Sequence, residues 1–455
     1  MINRLLVRAG CLALAVAVML VGPLPAAAQG VGLIRDAEIE ATIRAYADSI
    51  FTAAGLDAAA IKVHLVNDNR INAFVTPGMN MFINVGLLIR ADSPNQVIGV
   101  IAHETGHIAG AHLVRIQDEI RNATIQNILA LIAGIGAGVA TGNPGVGAGT
   151  MMLGQGMALR DVLKYSRTQE ASADQAGMKF LDATHQSSRG MLQFFEKLED
   201  QISLNTERQD PYLQTHPLTR DRVASVQDHV DHSPYSDTKD SAALMEMHLR
   251  MLAKLKGFLW PLGQVLQTYP PSDTSQPARY ARAIAFFRVS RMKDALTLMD
   301  SLLKESPDDP FFIEQKAQIL FQNGRIAEAV PLYHRAVELK PREALLRQEL
   351  GQVELETEDQ RYVKPAIQNL EFAAQMQSND PEVWRLLAIA YGRDDQVPMS
   401  ALAQAQEHMA RGNKKEARAW ARHALKGLPA GSRGALQADD IISATGGPEG
   451  EDEDE

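Results

Sequence analysis

From residue 277 onward the chain echoes itself with a period of 34 residues. Ala295, Leu302 and Pro307 return as Ala329, Ala336 and Pro341, and Gly324 stands five residues before Ala329. Few folds accept such a period. Each unit is long enough for two short helices and a turn, but it cannot bury its apolar face alone. It must stack on its neighbours into a solenoid. Small residues are needed where the paired helices approach closely, and the prolines end each second helix. A third unit is stretched by the acidic insert 356–360, while Ala366 and Ala373 keep the seven-residue step. Trp384-x-x-Leu387-Ala388-x-x-Tyr391 opens another unit, and Gly412, Ala417, Ala424 and Pro429 close the last. The array is assigned to 277–430. The remainder, 431–455, ends in GEDEDE and is expected to be a disordered acidic tail.

The chain has 455 residues, which leaves room for further domains ahead of the array. Its formal net charge of −10 offers no basic footprint for nucleic acid. At the N-terminus, Arg4 and Arg8 precede an apolar run, Cys11–Val21, that is too short to span a bilayer as an ordinary helix. Pro23 and Pro25 break it before Ala26-Ala27-Ala28, the pattern of a secretory signal peptide over 1–28, with an uncleaved anchor as the alternative. Cys11 is the only cysteine, so the exported chain would hold no disulfide, and any metal site must be built from His and carboxylate. A bacterial periplasm suits such a protein best.

Residues 29–235 read as an α+β domain. Gly32–Leu56 is helical in pattern, with Ile34, Ile39, Ile43, Ala47 and Ile50 on one stripe. Ile61–Asn67 alternates like a strand, and Asn72–Thr76 with Met81–Val85 flank a Pro77-Gly78-Met79-Asn80 turn as a hairpin. Asp92 or Ser93 caps the next helix, with Pro94 in its first turn. Residues 123–159 carry no charge at all. They suit a hairpin of small residues over the site, or a flap that touches a membrane surface or an apolar substrate. Residues 236–276 read as a connecting helix, through Leu266, and a linker broken at Tyr269–Ser275.

The chemistry sits in Val97–Val114, at His103-Glu104-Thr105-Gly106-His107. Two histidines four apart share one helical face, so two imidazoles can reach one metal ion. Ile98, Val100, Ile101, Ile108 and Leu113 make this a buried helix, and a core does not admit two histidines and a carboxylate without partners. A catalytic zinc wants three protein ligands and an open position. Asp161–Phe180 is helical in pattern, with Glu170 and Asp174 one turn apart. Glu170 can supply the third ligand, and Asp174 can hydrogen-bond the outer nitrogen of a ligating histidine. His112, five residues beyond His107, is expected to face away from the metal.

His103-Glu104-x-x-His107 followed by Ser166-Arg167-x-x-Glu170-x-x-Ala173-Asp174-x-x-Gly177 resembles the gluzincin metallopeptidases, which include CAAX-processing membrane endopeptidases and periplasmic envelope proteases. The likeness covers roughly Ile34 to Val226 and includes Asn72-Ala73-Phe74-Val75-Thr76-Pro77-Gly78. It implies one zinc per subunit on His103, His107 and Glu170, with Glu104 as general base and Asp174 as an outer partner or proton donor. Thr215-His216-Pro217-Leu218-Thr219-Arg220-Asp221-Arg222 resembles a loop of the periplasmic branch, in which the histidine lies close enough to occupy the metal's open position. His216 would then be a fourth ligand or a gate. The array from 277 resembles tetratricopeptide repeats, whose concave face binds extended segments or a protein partner.

The expected fold is therefore an α+β zincin-like metallopeptidase domain, mostly helical with a small sheet, followed by an all-α tetratricopeptide-repeat solenoid. An extended substrate would add as a strand beside Asn72, Ala73 and Phe74 or beside Met81–Val85. The resemblance implies an endopeptidase acting on unfolded or stalled envelope proteins, outer-membrane β-barrel proteins among them. The alternative is a repeat-based periplasmic chaperone in which zinc is a structural staple.

Overall fold

The computed structural model describes residues 32–112, 166–204, 212 and 216–446. The expected signal peptide, the charge-free segment 123–159 and the last residues of the tail, 447–455, lie outside the described residues.

Helix α1 (Ala37–Ala53) begins where Asp36 can cap it, its Oδ1 accepting from the Ile39 N–H at 2.9 Å. The cap separates Leu33–Ile34 from the helix as a short strand, β1. Ile34, expected on the helical stripe, instead stands opposite Leu65. Ile39, Ile43, Tyr46, Ala47 and Ile50 form the buried stripe. Strands β2 (Lys62–Val66), β3 (Ala73–Thr76) and β4 (Asn80–Asn84) complete a sheet of order β1-β2-β4-β3. β4 is parallel to β2 and antiparallel to β3, so both of its edges are paired, while β3 is the outer strand. Ala73, Val75, Met81 and Ile83 point into the core, and Phe74 and Phe82 stack on the other face.

Behind the sheet lie α2 (Val85–Arg90) and α3 (Pro94–Ala109), with Pro94 in the first turn of α3 where its missing N–H costs nothing. α3 packs against α1, against β3 and against α5 (Arg189–Leu204). Helix α4, residues 166–183, packs against α3, and α6 (Arg220–His232) lies on α5. The domain core is continuous from Ile39 through Ile101 and Leu181 to Val226.

α7 (Ala242–Leu259) stops before Pro261, which cannot continue a helix, and a separate α8 (Leu262–Thr268) follows. The helical pattern through Leu266 does not show this break. Nor is α7 a free connector, because Met251 and Leu255 belong to the first domain's core and Ala253 to that of the first repeat. His248, fully buried, accepts from the Tyr46 hydroxyl at 3.1 Å and donates to the Ala91 carbonyl at 3.0 Å. Six residues on, Lys254 is buried against Asp36 at 2.8 Å, Glu314 at 3.3 Å and Glu38 at 3.5 Å. Arg250 reaches Glu38 at 2.7 Å and Asp309, and Tyr280 donates to Glu38 at 2.8 Å. Asp36 and Glu38 head α1, whereas Asp309, Glu314 and Tyr280 belong to the repeats. Two cations thus join the start of the first domain to the solenoid, and Arg35 adds a bridge to Asp380 at 2.9 Å.

The solenoid comprises α9 (Gln276–Arg288) with α10 (Met292–Glu305), α11 (Pro310–Gln322) with α12 (Ile326–Leu339), and α13 (Ala344–Glu356) with α14 (Val363–Met376). The turn inside each pair holds one residue at positive φ: Ser290, Gly324 and Glu358, 34 residues apart. The insert after Glu358 is taken up by a single 3-10 turn, Gln360–Tyr362. α15 (Pro381–Arg393), α16 (Val397–Ala410) and α17 (Lys414–Leu425) follow, with left-handed residues Asp395 and Gly412 only 17 apart. α16 packs on both of its neighbours, so the pairing loses its strict alternation here. Residues 433–444 are helical too. α18 (Arg433–Ala444) buries Ala435, Ala438, Ile441 and Ile442 at helical spacing, so the expected disordered tail cannot start at 431.

Candidate metal centre

Two helices make the centre by touching backbone to backbone. A Cβ on Gly106 of α3 would stand 2.7 Å from the Ala173 carbonyl oxygen of α4, and one on Gly177 would stand 3.1 Å from the Ala102 carbonyl carbon. Only glycine allows this approach, and it brings Glu170 over the His103–His107 face.

There, His103 Nε2 and His107 Nε2 lie 3.2 Å apart. Glu170 lies 3.5 Å from the first and 3.3 Å from the second. His216 closes the set from the loop before α6, its Nδ1 3.3 Å from His103 Nε2 and 3.2 Å from both Glu170 oxygens. All four side chains are buried. A tetrahedron with ligand bonds of about 2.0–2.1 Å has edges of about 3.3–3.4 Å, close to the distances just given, and all four donor atoms lie within 4.8 Å of one another. Imidazole nitrogens that face each other share at most one proton, so a cation satisfies the set better than hydrogen bonds do. The residues fit a metal ion.

The surroundings support the same charge. Burial would raise the Glu170 carboxyl, but hydrogen bonds from His103, His107 and His216 hold it far below the usual carboxylate range. Asp174, also against burial, is held low by Arg222 and His103. Burial would lower the His103 ring, yet Asp174 and Glu170 outweigh it and push it up to about 10. Burial takes His107 down to about 4, despite its contact with Glu170.

Asp174 Oδ1 sits 2.8 Å from His103 Nδ1, the outer nitrogen of that ring. Arg222 grips both Asp174 oxygens at 2.6 and 2.8 Å, reaches Glu170 at 3.0 Å and donates to the Pro217 carbonyl at 2.9 Å. It thereby ties the His216 loop to the helix that carries Glu170. The Tyr212 ring stacks on His216 at 4.7 Å. Glu104 is wholly buried, and neither of its oxygens has a hydrogen-bond partner among the described residues; the His216 ring is 3.6 Å from Oε1. Burial pushes its carboxyl upward. A carboxylate kept unsatisfied beside a donor set is poised to hold water or a proton.

Residues 34–230 match peptidase family M48. The M48 segment begins at β1 and ends in α6, so it contains every residue named above. A β-barrel assembly-enhancing protease of Yersinia pestis is 25% identical over 339 residues, covering 72% of this chain and 67% of the relative. That of Escherichia coli K12 is 26% identical over 286 residues, 61% of this chain and 57% of the relative. Metalloprotease YcaL of the same strain is 26% identical over 169 residues, 37% of this chain and 61% of its own. The chain spans 52 to 67% of the length of the first relatives it matches. Among solved structures, a thermophilic tetratricopeptide-repeat protein of Thermus thermophilus aligns at 19% identity with 37% of this chain and 100% of its own, at a TM-score of 0.24. The helix pairs and their spacing, rather than that overlap, carry the solenoid assignment.

The residues singled out in the sequence, His103, Glu104, His107, Glu170, Asp174 and His216, all meet here. Two others were missed. Arg222 was visible only as part of a loop motif, and His112, outside the donor set as expected, lies against the outer side of His107, a contact the spacing did not show.

Proposed function

We propose that this chain is an exported zinc-dependent endopeptidase that cleaves polypeptides during assembly or quality control of envelope proteins. The carrying observation is the buried His103–His107–Glu170 set beside a Glu104 carboxylate without a hydrogen-bond partner among the described residues. Buried nitrogen and oxygen donors this close together suit zinc. Bound there, zinc would polarise a peptide carbonyl and acidify water. Glu104 takes a proton from the attacking water on a carboxylate oxygen and returns it to the leaving amine. Asp174, with both oxygens engaged, holds His103 in one orientation, a role its bonds favour over proton donation. The outer strand β3 supports substrate addition beside Asn72, Ala73 and Phe74; Met81–Val85 loses support because both edges of β4 are paired.

The relatives' names, with their reference to β-barrel assembly, support stalled outer-membrane proteins as clients, met in the periplasm after export through 1–28. Among the described residues no helix is long and apolar enough to cross a membrane. In the solenoid a cavity of about 850 Å³, lined by Trp384, Leu387, Tyr391, Met399 and Leu402, supports capture of an apolar client segment or protein partner by the repeats. The test uses the full mature chain. It should bind one zinc per subunit and cleave an unfolded protein, and His103→Ala should lose both; unaltered zinc binding in that variant would sink the proposal.

His216 favours a second reading, a structural zinc in a repeat-based chaperone, since four protein ligands close a metal site. His216→Ala separates the two. Severalfold faster cleavage with zinc retained marks His216 as a gate, whereas loss of zinc marks it as a structural ligand.

A further inference from the structure

The two histidines of α3 differ in what supports their outer nitrogens. His103 has the Asp174 carboxylate on Nδ1. His107 presents Nε2 to the donor set, so its Nδ1 faces outward, and there it meets Nδ1 of His112 at 3.1 Å, with the rings edge to face. His112 is buried. We propose that His112 is a positioning residue of the metal centre, which accepts a hydrogen bond from the Nδ1–H of His107 and so fixes that ring's tautomer and orientation. The proposal rests on the metal reading above.

Three features of the backbone aim the ring. Gly110 ends α3, and a Cβ there would stand 2.3 Å from His112 Nε2, so the imidazole occupies the space a side chain would fill. Ala111 takes a φ of 51°, a left-handed conformation that strains a non-glycine residue. That turn sends the chain back toward α3 instead of continuing outward. Gln169, next to Glu170 on α4, then donates to the His112 carbonyl at 3.4 Å. A residue that served only to fill the core would need no left-handed alanine and no vacant Cβ to reach its place.

The tautomers follow. If His107 Nε2 gives its lone pair to a cation, the single ring proton must sit on Nδ1. His112 Nδ1 must then accept, which places the His112 proton on Nε2. His103 is backed by an anion and His107 by a neutral ring, so the two ligands differ in basicity although they come from one motif.

The experiment measures zinc affinity of the full chain by competition with a chromogenic chelator, and the visible spectrum of the cobalt-loaded protein. Loss of an outer partner of a ligating histidine costs about 10–100-fold in metal affinity, and that is expected for His112→Ala. His112→Asn, which keeps an acceptor near the Nδ1 position, should recover most of the loss. Gly110→Ala retains the imidazole but displaces it, and should weaken zinc as His112→Ala does, with a shifted cobalt spectrum. Folding is followed separately, by thermal unfolding in chelator. Zinc affinity within threefold of wild type in both His112→Ala and Gly110→Ala, with unchanged cobalt spectra, would overturn the proposal. His107→Ala is the control: if it too binds zinc normally, the metal reading has failed, and if it alone loses zinc, only the role of His112 has failed.

Discussion

Glu104→Gln is expected to keep the metal and lose about 10²–10⁴-fold in peptide hydrolysis, the range for removal of a positioned general base. Glutamine has the same shape, and the donor atoms on His103, His107, Glu170 and His216 are left in place. What disappears is the ability to hold a proton at a buried position where neither carboxylate oxygen has a hydrogen-bond partner among the described residues. The substitution also removes a costly buried charge, so thermal stability should hold or rise, a sign that the wild-type residue is kept for chemistry. Zinc content and cleavage of an unfolded protein, measured on one preparation, decide the matter. Cleavage within tenfold of wild type would exclude Glu104 as the base.

The second large effect lies far from the metal. Lys254→Met should destabilise the chain by about 3–5 kcal/mol in urea unfolding, the penalty for breaking a buried ion pair by removing one partner. Asp36, Glu38 and Glu314 would be left facing one another without their ammonium group. The sign of the pH dependence follows. Burial already raises the Glu314 carboxyl, with Lys254 opposing it, and removing Lys254 raises it further. A carboxyl raised in the folded state binds more protons there than in the unfolded chain, so it favours folding at low pH and loses that contribution as pH rises through its folded pKa. The deficit of the variant should therefore be largest near pH 8 and shrink toward pH 5. A deficit below 1 kcal/mol at pH 8 would show that the charges do not join α1 to the repeats.

Much of the centre was legible because it is written in short-range spacing. Four residues set His103 over His107, four set Glu170 beside Asp174, and the count of missing ligands linked the two helices. Helical projection kept His112 out of the donor set but missed its contact with His107 for a definite reason. It assumes that α3 continues, whereas the helix ends at Gly110 and Ala111 turns the chain left-handed. Glycine turns such as Gly324 were visible, but Ser290, Glu358 and Asp395 take the same backbone conformation without glycine. The tail was misjudged from its last residues, whose charge hid the apolar stripe of Ala435, Ala438, Ile441 and Ile442 just before it.

By itself, then, the sequence determined most of the element types, the repeat period and the identity of the metal-ligand candidates. Each is a matter of periodicity or of residue chemistry within a few turns. Only the tertiary structure decided that β4 is interior and β3 outer, that Arg222 clamps Asp174 and the His216 loop together, and that Lys254 and Arg250 hold the first domain to the solenoid. Most of those contacts join residues tens to hundreds of positions apart. Their energy comes from burial and charge pairing that no local pattern records, and a lone lysine on a helix reads as solvated until the carboxylates around it are in place.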